Sequence, residues 1–269
     1  MAQTQKMYLG GVPVIQNYFG ENPIVVAGAY QIAPLTLEIL IVGGGAGGGK
    51  GEGEGTGTRG GGGGAGRFVT GSIVIQAGST FNISVGGNGI GATATSGQGT
   101  DGAESTLIGN ATTYTAPGGG GGGGGRNANA TLIRGRAGGS GGGAGACGVG
   151  VTAAGGAAQD GSPIVGQGVA GTSVGSAGNG AAGGGAGYTW IDGITYSVGG
   201  ASNNGAASTF FGGGGDGNDG NGGNGKGGMV RIAYAGSTVL ASGGIAYSTG
   251  GYIIHYYDTA GSGTFTYPA

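Results

Sequence analysis

The chain has very little of several residues on which common protein classes depend. Its 269 residues include one cysteine, one histidine and 6 prolines, and only 7% of them are charged. The single cysteine, Cys147, excludes an internal disulfide framework and is expected to fill space among small residues. So few prolines exclude collagen, which combines proline with glycine at every third position. The low charge is unlike that of most disordered chains.

Charge and hydropathy exclude two further kinds of partner. The formal net charge is −2 with a pI near 5.2, and no basic stripe is present, so a nucleic-acid partner is not expected. The basic group of Arg126, Arg134 and Arg136 is interpreted as a solvated loop. Residues 1–10 are polar, and no apolar run approaches the ~20 residues that span a bilayer. We therefore expect a soluble protein made in a cytoplasm, without membrane insertion or a classical export signal.

Glycine is present in large excess, with 82 of 269 residues, against a usual share of ~7%. The excess begins where a strand-like apolar run at residues 37–42 passes directly into residues 43–49, which are all glycine except Ala46. Glycine loses more backbone entropy on folding than any other residue, so such runs fold only where the missing side chain is itself required. Two ordered structures meet that condition. One is a phosphate-binding loop, and the other is a bundle of polyproline-II-like strands packed too closely for any Cβ.

The phosphate-binding interpretation fails on the residues that follow. Gly43, Gly45 and Gly48 match G-x-G-x-x-G after a strand, and residues 44–50 nearly match a P-loop. Both motifs need a helix whose N-terminal amides hold the phosphate. Residues 51–57 instead alternate glycine with glutamate and threonine, which neither starts a helix nor favours an anion. We expect no cofactor. The sequence predicts an all-β or irregular fold, with a glycine-rich body of polyglycine-II-like extended strands, short β-strands and no substantial helix.

Composition divides the chain into three parts. Residues 1–34 contain two copies of a repeat in which an aromatic and an apolar residue precede Gly, two variable residues, Pro and a β-branched residue. Two such units bury too little to stand alone, so they are interpreted as a docking arm. Residues 35–234 form the glycine-rich domain, and residues 235–269 are expected to form a C-terminal β-hairpin. The docking contacts are assigned to the residue pair that opens each repeat: Tyr8, Leu9, Tyr18 and Phe19.

Short strand-like runs interrupt the glycine, mostly with an apolar residue at every second position. They lie at residues 67–76, 80–85, 131–133, 188–198 and 229–234. The C-terminal hairpin is predicted to join residues 252–257 to residues 264–267 through a turn at residues 258–263. A hairpin of this length needs a third strand or a second subunit to be stable.

Residues with catalytic or metal-binding chemistry are scarce. His255 lies in a tyrosine-rich strand and is interpreted as a packed side chain. Ser140 sits in a G-x-S-x-G sequence, but it lacks the preceding strand and the following helix of a nucleophile elbow. Asp216 and Asp219 resemble one calcium-binding glycine turn, although the apolar residue that should follow is absent, and a solvated turn is preferred. We expect no enzyme activity and no metal site; Asp216 and Asp219 are the candidate ligands if one exists.

Aromatic residues flanked by glycine and small polar residues suggest a recognition surface. Aromatic rings beside Ser, Asn and Gly offer flat stacking area together with adaptable hydrogen bonds. The alternative is that the same rings pack a small core, since few other large side chains are present. The candidate receptor-binding residues are Tyr114, Tyr188, Trp190 and Tyr196, with Phe210 and Phe211 assigned to packing.

Several motifs together resemble the glycine-rich domain of bacteriophage tail proteins. They are the apolar strand that ends in I-V-G-G-G-A-G-G-G, the V-G-G turns, the A-x-S-T-[LF] segments and the closing G-G-Y-I-I-H-Y-Y-D-T-A-G-S-G-T-F-T-Y-P. The paired Y-[LF]-G-x-x-P-[VI] units resemble the short YLG repeats at the N-termini of such proteins. In those proteins the hairpin usually precedes the glycine-rich domain, whereas here it follows.

This resemblance implies a virion protein of a tailed phage, a tail-fibre or tail-tip adhesin made in the host cytoplasm. The N-terminal repeats would dock it to other virion proteins, and the glycine-rich body would meet a glycan or outer-membrane protein of the host. A homotrimer is expected from the likeness to fibre proteins and from the short strands. In T-even-like adhesins of similar composition, loops at the domain tip recognise the host. The alternative is a structural decoration of capsid, neck or baseplate; a sugar-cleaving spike is disfavoured because paired carboxylates are scarce.

Overall fold

The computed structural model describes residues 4–9, 12–19, 22–25, 32–52, 58–125, 132–146, 153–159, 183–202 and 205–269. Every regular element in these ranges is a β-strand, and none of the ranges contains a helix. The predicted all-β fold without substantial helix is therefore confirmed. Cys147 and Arg126, which the sequence analysis singled out, lie outside the described residues.

Fourteen strands are assigned within these ranges. In chain order they are β1 (Thr4–Leu9), β2 (Val12–Phe19), β3 (Asn22–Val25), β4 (Leu35–Val42), β5 (Phe68–Ile75), β6 (Thr80–Val85), β7 (Ser105–Gly109), β8 (Thr112–Ala116), β9 (Ala186–Thr189), β10 (Thr195–Val198), β11 (Met229–Ala235), β12 (Ile245–Thr249), β13 (Tyr252–Tyr257) and β14 (Gly261–Thr266).

Two antiparallel sheets pack face to face as a β-sandwich. One sheet has the strand order β12-β13-β11-β4-β5, and the other has the order β14-β6-β7-β8. Their facing sides share one apolar core, in which Leu37 and Ile232 of the first sheet meet Phe81 and Leu107 of the second. Burying a large apolar side chain stabilises a fold by about 1.5–3 kcal/mol, so this core is the main source of stability outside the glycine runs.

The pattern of apolar residues in each strand reflects how many faces of its sheet are covered. In β6 the buried Phe81, Ile83 and Val85 alternate with exposed polar residues, because only one face of the four-stranded sheet packs on the core. β4 and β11 are apolar almost throughout, because the five-stranded sheet is covered on both faces. Its outer face carries a second core, in which the β9–β10 hairpin lies over the sheet.

The C-terminal strands differ from the predicted hairpin. β13 pairs with β11 and β12 in the five-stranded sheet, whereas β14 pairs with β6 in the other sheet. The predicted pairing of residues 252–257 with residues 264–267 is therefore wrong, since the intervening turn crosses between the two sheets. The hairpin of this region joins β12 to β13 through Gly250 and Gly251, whose φ angles of 56° and 83° suit a two-residue type I′ turn. Residues 235–269 thus complete both sheets.

Two other strand predictions need adjustment. Residues 188–198 form the hairpin of β9 and β10, because a turn at residues 190–194 divides the run. Within residues 131–133, Leu132 and Ile133 lie in a turn, and Thr131 is outside the described residues. The β7–β8 hairpin was not predicted. Its turn places Asn110 and Ala111 at φ 50° and 58°, without the glycine that usually marks such a turn.

At one end of the sandwich the strands continue as extended glycine-rich segments. Residues 43–51, 86–92 and 117–125 leave β4, β6 and β8, and the chain enters β5, β7 and β11 from residues 60–67, 97–103 and 222–228. Ser105 connects the two sheets at this boundary. Its hydroxyl donates to the carbonyl of Val42 at 2.7 Å and accepts from the N–H of Gly86 at 2.9 Å.

Residues 43–51 form the axis of this glycine bundle and repeat every three residues. Every third N–H donates to the same neighbouring segment. The first set donates to residues 61–67, the second to residues 97–103, and the third, from Gly45 and Gly48, to residues 223–226. In each of these sets the acceptor number falls by three as the donor number rises by three, so these neighbours run antiparallel to the axis.

The carbonyl groups of the same nine-residue axis face three other segments. They accept from N–H groups in residues 119–125, 89–96 and 215–218, and here the donor number rises along the axis, so these neighbours run parallel to it. A segment with three residues per turn and no hydrogen bonds within itself has polyproline-II geometry. The hydrogen bonds of this axis are made to other segments of the chain. The axis therefore has six neighbours arranged as in polyglycine II, as the sequence predicts.

Close approach explains why these segments are glycine. An ideal Cβ placed on Gly45, Gly47 or Gly48 would lie 1.9–2.0 Å from a carbonyl oxygen of a neighbouring segment. No side chain can occupy that space unless the neighbouring backbone moves. The absent Cβ is thus what allows each N–H and C=O to reach its partner.

The N-terminal repeats form a separate antiparallel sheet with the order β1-β2-β3. Its register pairs Tyr8 with Pro13 and Tyr18 with Pro23, so the two ends of each repeat lie opposite each other on neighbouring strands. This agrees with the predicted strand, turn and strand in each copy. The side chains of the assigned docking residues Tyr8, Leu9, Tyr18 and Phe19 are not among those that the structure describes.

Candidate functional site

Several described glycine segments end or begin together at the end of the axis away from the sandwich. Gly51, at the end of the axis, donates to Asn218 and accepts from Ser96, while Lys50 accepts from Gly125. Each of these residues lies where a described glycine segment ends or begins, so these segment ends share one level. We define the tip by its described residues: 50–52, 58–59, 93–97, 125 and 218–222.

The tip carries several of the few charged side chains. The ammonium group of Lys50 donates to the carbonyl of Thr93 and to Oδ1 of Asn221, both at 3.0 Å. Arg59 lies beside the Asp219 carboxylate, with 3.2 Å between Nε and Oδ1. In a chain with only 7% charged residues, this concentration makes the tip chemically distinct from the rest of the bundle.

The two candidate calcium ligands have other partners. Asp216 accepts a hydrogen bond from the N–H of Ala201 at 2.7 Å, and Asp219 pairs with Arg59. Among the described residues no group of three or more His, Cys, Asp or Glu side chains is placed to hold a metal ion. The two aspartates therefore serve hydrogen bonds and an ion pair in this structure.

Polar side chains complete the hydrogen bonds of the outer glycine segments. Asp101 accepts the N–H of Gly121 at 2.8 Å, and Asn224 accepts that of Gly91 at 2.9 Å. Asp101 also pairs with Arg136 at 2.7 Å, which places one member of the predicted basic loop in the bundle. These side chains supply acceptors for N–H groups of the outer glycine segments.

The candidate receptor-binding aromatics are mostly interior. Tyr114 is 9% exposed in the core between the sheets, and Trp190 and Tyr196 are 5% and 0% exposed in the core under the β9–β10 hairpin. These three rings contact other core residues, which differs from the expected exposed surface. Tyr188 is half-buried and stacks on Phe68, with ring centroids 4.3 Å apart.

A buried charged cluster under the β9–β10 hairpin was not identified from the sequence. Arg231 of β11 pairs with Asp192 of the hairpin turn, and their side chains are only 8% and 2% exposed. The guanidinium also donates to the Tyr247 hydroxyl at 2.6 Å. It lies 5.4 Å from the Tyr196 ring centroid and 5.9 Å from that of Tyr256, within cation–π range. The cluster fixes the hairpin turn to the sheet.

Tyrosines near this cluster are held in the protonated state. Burial, followed by the hydrogen bond to Asp192, raises the pKa of Tyr196. Burial likewise raises the pKa of Tyr247, against the opposing charge of Arg231. The Tyr196 hydroxyl donates to Oδ2 of Asp192 at 2.7 Å, a bond that its ionisation would remove. The cluster is therefore a structural contact whose tyrosines resist ionisation.

Tyr257 gives a prediction for alkaline pH. Burial raises the pKa of Tyr257 to about 12, above the ordinary value of about 10. The folded state therefore keeps this proton after the unfolded state has lost it, and stability should fall as pH rises from about 10 to about 12. Denaturant unfolding at about pH 9 and about pH 11 should show a smaller loss for Tyr257→Phe than for the wild type. Equal losses in both proteins would contradict this assignment.

His255 and Ser140, the two residues with catalytic chemistry, have structural partners. His255 is 1% exposed, with Nδ1 at 2.7 Å from the carbonyl of Gly243 and Nε2 at 3.1 Å from the Tyr234 hydroxyl. Because the carbonyl can only accept, Nδ1 carries a proton and donates it to Gly243. Ser140 lies in the lattice, where its N–H donates to Ala65. The expectation of no enzyme activity stays a prediction.

A small cavity lies where the β9–β10 hairpin meets the bundle. It has a volume of about 100 Å³ and is lined by residues 185–188, the ring of Phe68, Ser140 and Ser197. Of the candidate aromatics, Tyr188 borders it.

No helix in the described part of the chain is long and apolar enough to cross a membrane.

The observed geometry defines an all-β, glycine-rich domain in which a β-sandwich continues into a polyglycine-II bundle. A family model described as a glycine-rich domain matches residues 25–264. The chain belongs to this glycine-rich domain family. A comparison with curated proteins found no match.

Proposed function

We propose that the protein is a tail-fibre or tail-tip adhesin of a tailed bacteriophage, which recognises the host cell surface. The tip supports the proposal: a lattice built from backbone hydrogen bonds holds the ends of many loops side by side. Binding residues are commonly placed on loops that a rigid scaffold positions. Because most of the lattice bonds join backbone groups, the loops can vary in sequence while the segments that hold them keep their arrangement.

The remaining parts of the chain have matching roles in this proposal. The β1–β3 sheet is the docking arm, with Tyr8, Leu9, Tyr18 and Phe19 contacting other virion proteins. The host partner is a surface glycan or an outer-membrane protein. The protein is synthesised in the host cytoplasm and then resides in the tail of the virion.

The proposed homotrimer now depends on the likeness to fibre proteins. The other reason, that short strands need a partner chain, no longer applies to the sandwich, because its two sheets pair entirely within one chain. Multi-angle light scattering of the purified chain should report three copies if the trimer forms.

Burial of the aromatic candidates favours a second function. Trp190 and Tyr196 pack inside the protein, as expected of a decoration of capsid, neck or baseplate without a receptor role. Labelled antibody on intact particles separates the two functions, since an adhesin lies at the distal tail and a decoration on the head, neck or baseplate.

Adsorption competition tests the proposed function directly. Host cells are incubated with saturating purified protein before phage is added, and free phage is counted. We expect the protein to reduce the adsorption rate constant, because it occupies the receptor. A variant with Lys50→Ala and Asn221→Ala should compete less well, since both side chains lie at the tip. Unchanged adsorption at saturating wild-type protein would contradict the adhesin function.

A further inference from the structure

The outer side of β12 is a strand edge without a partner in the described part of the chain. β12 ends the order β12-β13-β11-β4-β5, and four of its five residues are exposed. The neighbouring end strand of the other sheet, β14, differs, because Ser242 exchanges two backbone hydrogen bonds with Thr266 on its outer side. A free strand edge presents N–H and C=O groups that can pair with another extended chain.

The turn after β12 determines which backbone groups lie on that edge. A two-residue turn joins β12 to β13, so the flanking Thr249 and Tyr252 form a hydrogen-bonded pair. Such pairs alternate with non-bonded pairs along an antiparallel ladder. The N–H and C=O groups of Ala246 and Ser248 therefore point away from β13, and no described residue bonds to them.

β12 also lacks the features that usually protect a free edge. Natural edge strands carry charged side chains, proline or bulges that prevent pairing with another chain. Residues 235–257 contain no Asp, Glu, Lys, Arg or Pro. The pairing of β12 with β13 runs without a bulge from Ile245 to Thr249, and the Ile245 side chain is 61% exposed. This edge is thus open to an incoming strand.

We propose that β12 pairs antiparallel with β12 of a second copy of the chain, so that the two five-stranded sheets become one continuous sheet. The contact has twofold symmetry with its axis at Tyr247. Ala246 of each copy then exchanges N–H···O=C bonds with Ser248 of the other. The two Tyr247 residues face each other across the axis as a cross-strand aromatic pair.

Charge favours a second copy as the occupant of this edge. In a twofold contact each residue lies near its own copy, so a charge close to the axis would repel itself. The uncharged residues 235–257 avoid that repulsion. The guanidinium of Arg231, which donates to the Tyr247 hydroxyl at 2.6 Å, is buried and paired with Asp192. Because that bond already orders the Tyr247 ring, little side-chain freedom is lost when the copies meet.

Light scattering of the full chain over a dilution series tests this contact. Ser248→Pro removes an N–H that points away from β13, so the variant should keep its own sheet but lose the second copy. We expect its mass to be about half that of the wild type. This twofold ratio holds whether the unit that pairs is one 24.8 kDa chain or the trimer proposed above. Ser248→Ala keeps the N–H and should have the wild-type mass.

A charge at the same position gives a second, independent measurement. Ser248→Lys keeps the backbone N–H but places two like charges diagonally across the axis. It should weaken association about threefold at low salt, and added salt should restore it. Equal masses for the wild type and Ser248→Pro, or association of Ser248→Lys as strong as that of Ser248→Ala at low salt, would overturn the proposed contact. Neither result bears on the adhesin function, which adsorption competition tests separately.

Discussion

Gly47→Ala should destabilise the protein more than any conservative change in the sandwich core. The added Cβ would lie 2.0 Å from the carbonyl oxygen of Ile90, within a backbone that is bonded on all sides. The N–H of Gly47 donates to Thr100 and its carbonyl accepts from Gly122, so moving away from Ile90 disturbs two further segments. We expect the free energy of unfolding to fall by about 3 kcal/mol or more, measured by denaturant unfolding.

Adjacent glycines provide a matched control. A Cβ on Gly86 would lie 2.2 Å from the carbonyl oxygen of Ala103, whereas the nearest atom to a Cβ on Gly87 is the Ala260 Cβ at 4.0 Å. Gly86→Ala should therefore destabilise strongly. Gly87→Ala should be neutral, or stabilise by about 0.4–1 kcal/mol by restricting the unfolded chain. Similar losses for the two variants would show that glycine acts here through flexibility and would refute the close-packed lattice.

Gly86 and Gly87 differ in packing although they are the same residue type. Glycine composition therefore predicts the bundle but leaves open which segments contact each other. A polyglycine-II bundle follows from the sequence. The other ordered use of residues 43–49, a phosphate-binding loop, needs a following helix that residues 51–57 do not start. The choice of partner does not follow, because segments without side chains carry no information about their neighbours. The flanking strands supply it: the pairing of Val42 with Phe68 and with Met229 places the attached glycine segments side by side.

The strands themselves were predictable where one face is buried. The period-two pattern gives β6 its bounds, Thr80–Val85, since buried and exposed residues alternate. The same pattern does not specify the partner, which is why β13 and β14 were expected to pair although they lie in different sheets. A local signal was missed at Asp192-Gly193, a dipeptide typical of a hairpin turn, which divides β9 from β10.

The candidate site was less predictable than the fold. An aromatic residue among glycines looks the same whether it binds a ligand or packs a core, and Trp190 and Tyr196 pack because the outer face of the five-stranded sheet needs a cover. Arg231 did carry a signal. It is the one charged residue in the apolar run of β11, and a charge in a strand buried on both faces requires a partner.

Breaking the ion pair between Arg231 and Asp192 should have the second large effect on stability. Asp192→Asn or Arg231→Met leaves one charge buried without its counterion, which destabilises proteins by about 3–5 kcal/mol. Arg231→Met also ends the donation to Tyr247 and the cation–π contact with Tyr196. We expect a lower unfolding midpoint in denaturant for each variant, with the loss of free energy read from the same curves.

A double-mutant cycle separates the ion pair from the packing around it. Arg231→Met combined with Asp192→Asn removes both charges together, so its loss should be well below the sum of the two single losses. The control is Arg136→Met, whose ion pair with Asp101 is 47% and 37% exposed and screened by solvent, so its loss should not exceed about 1 kcal/mol. Additive losses at Arg231 and Asp192 would mean that the two charges do not stabilise each other. The hairpin would then be held by the packing of Trp190 and Tyr196 in the outer core and by its backbone hydrogen bonds, such as that from Ser197 to Phe211.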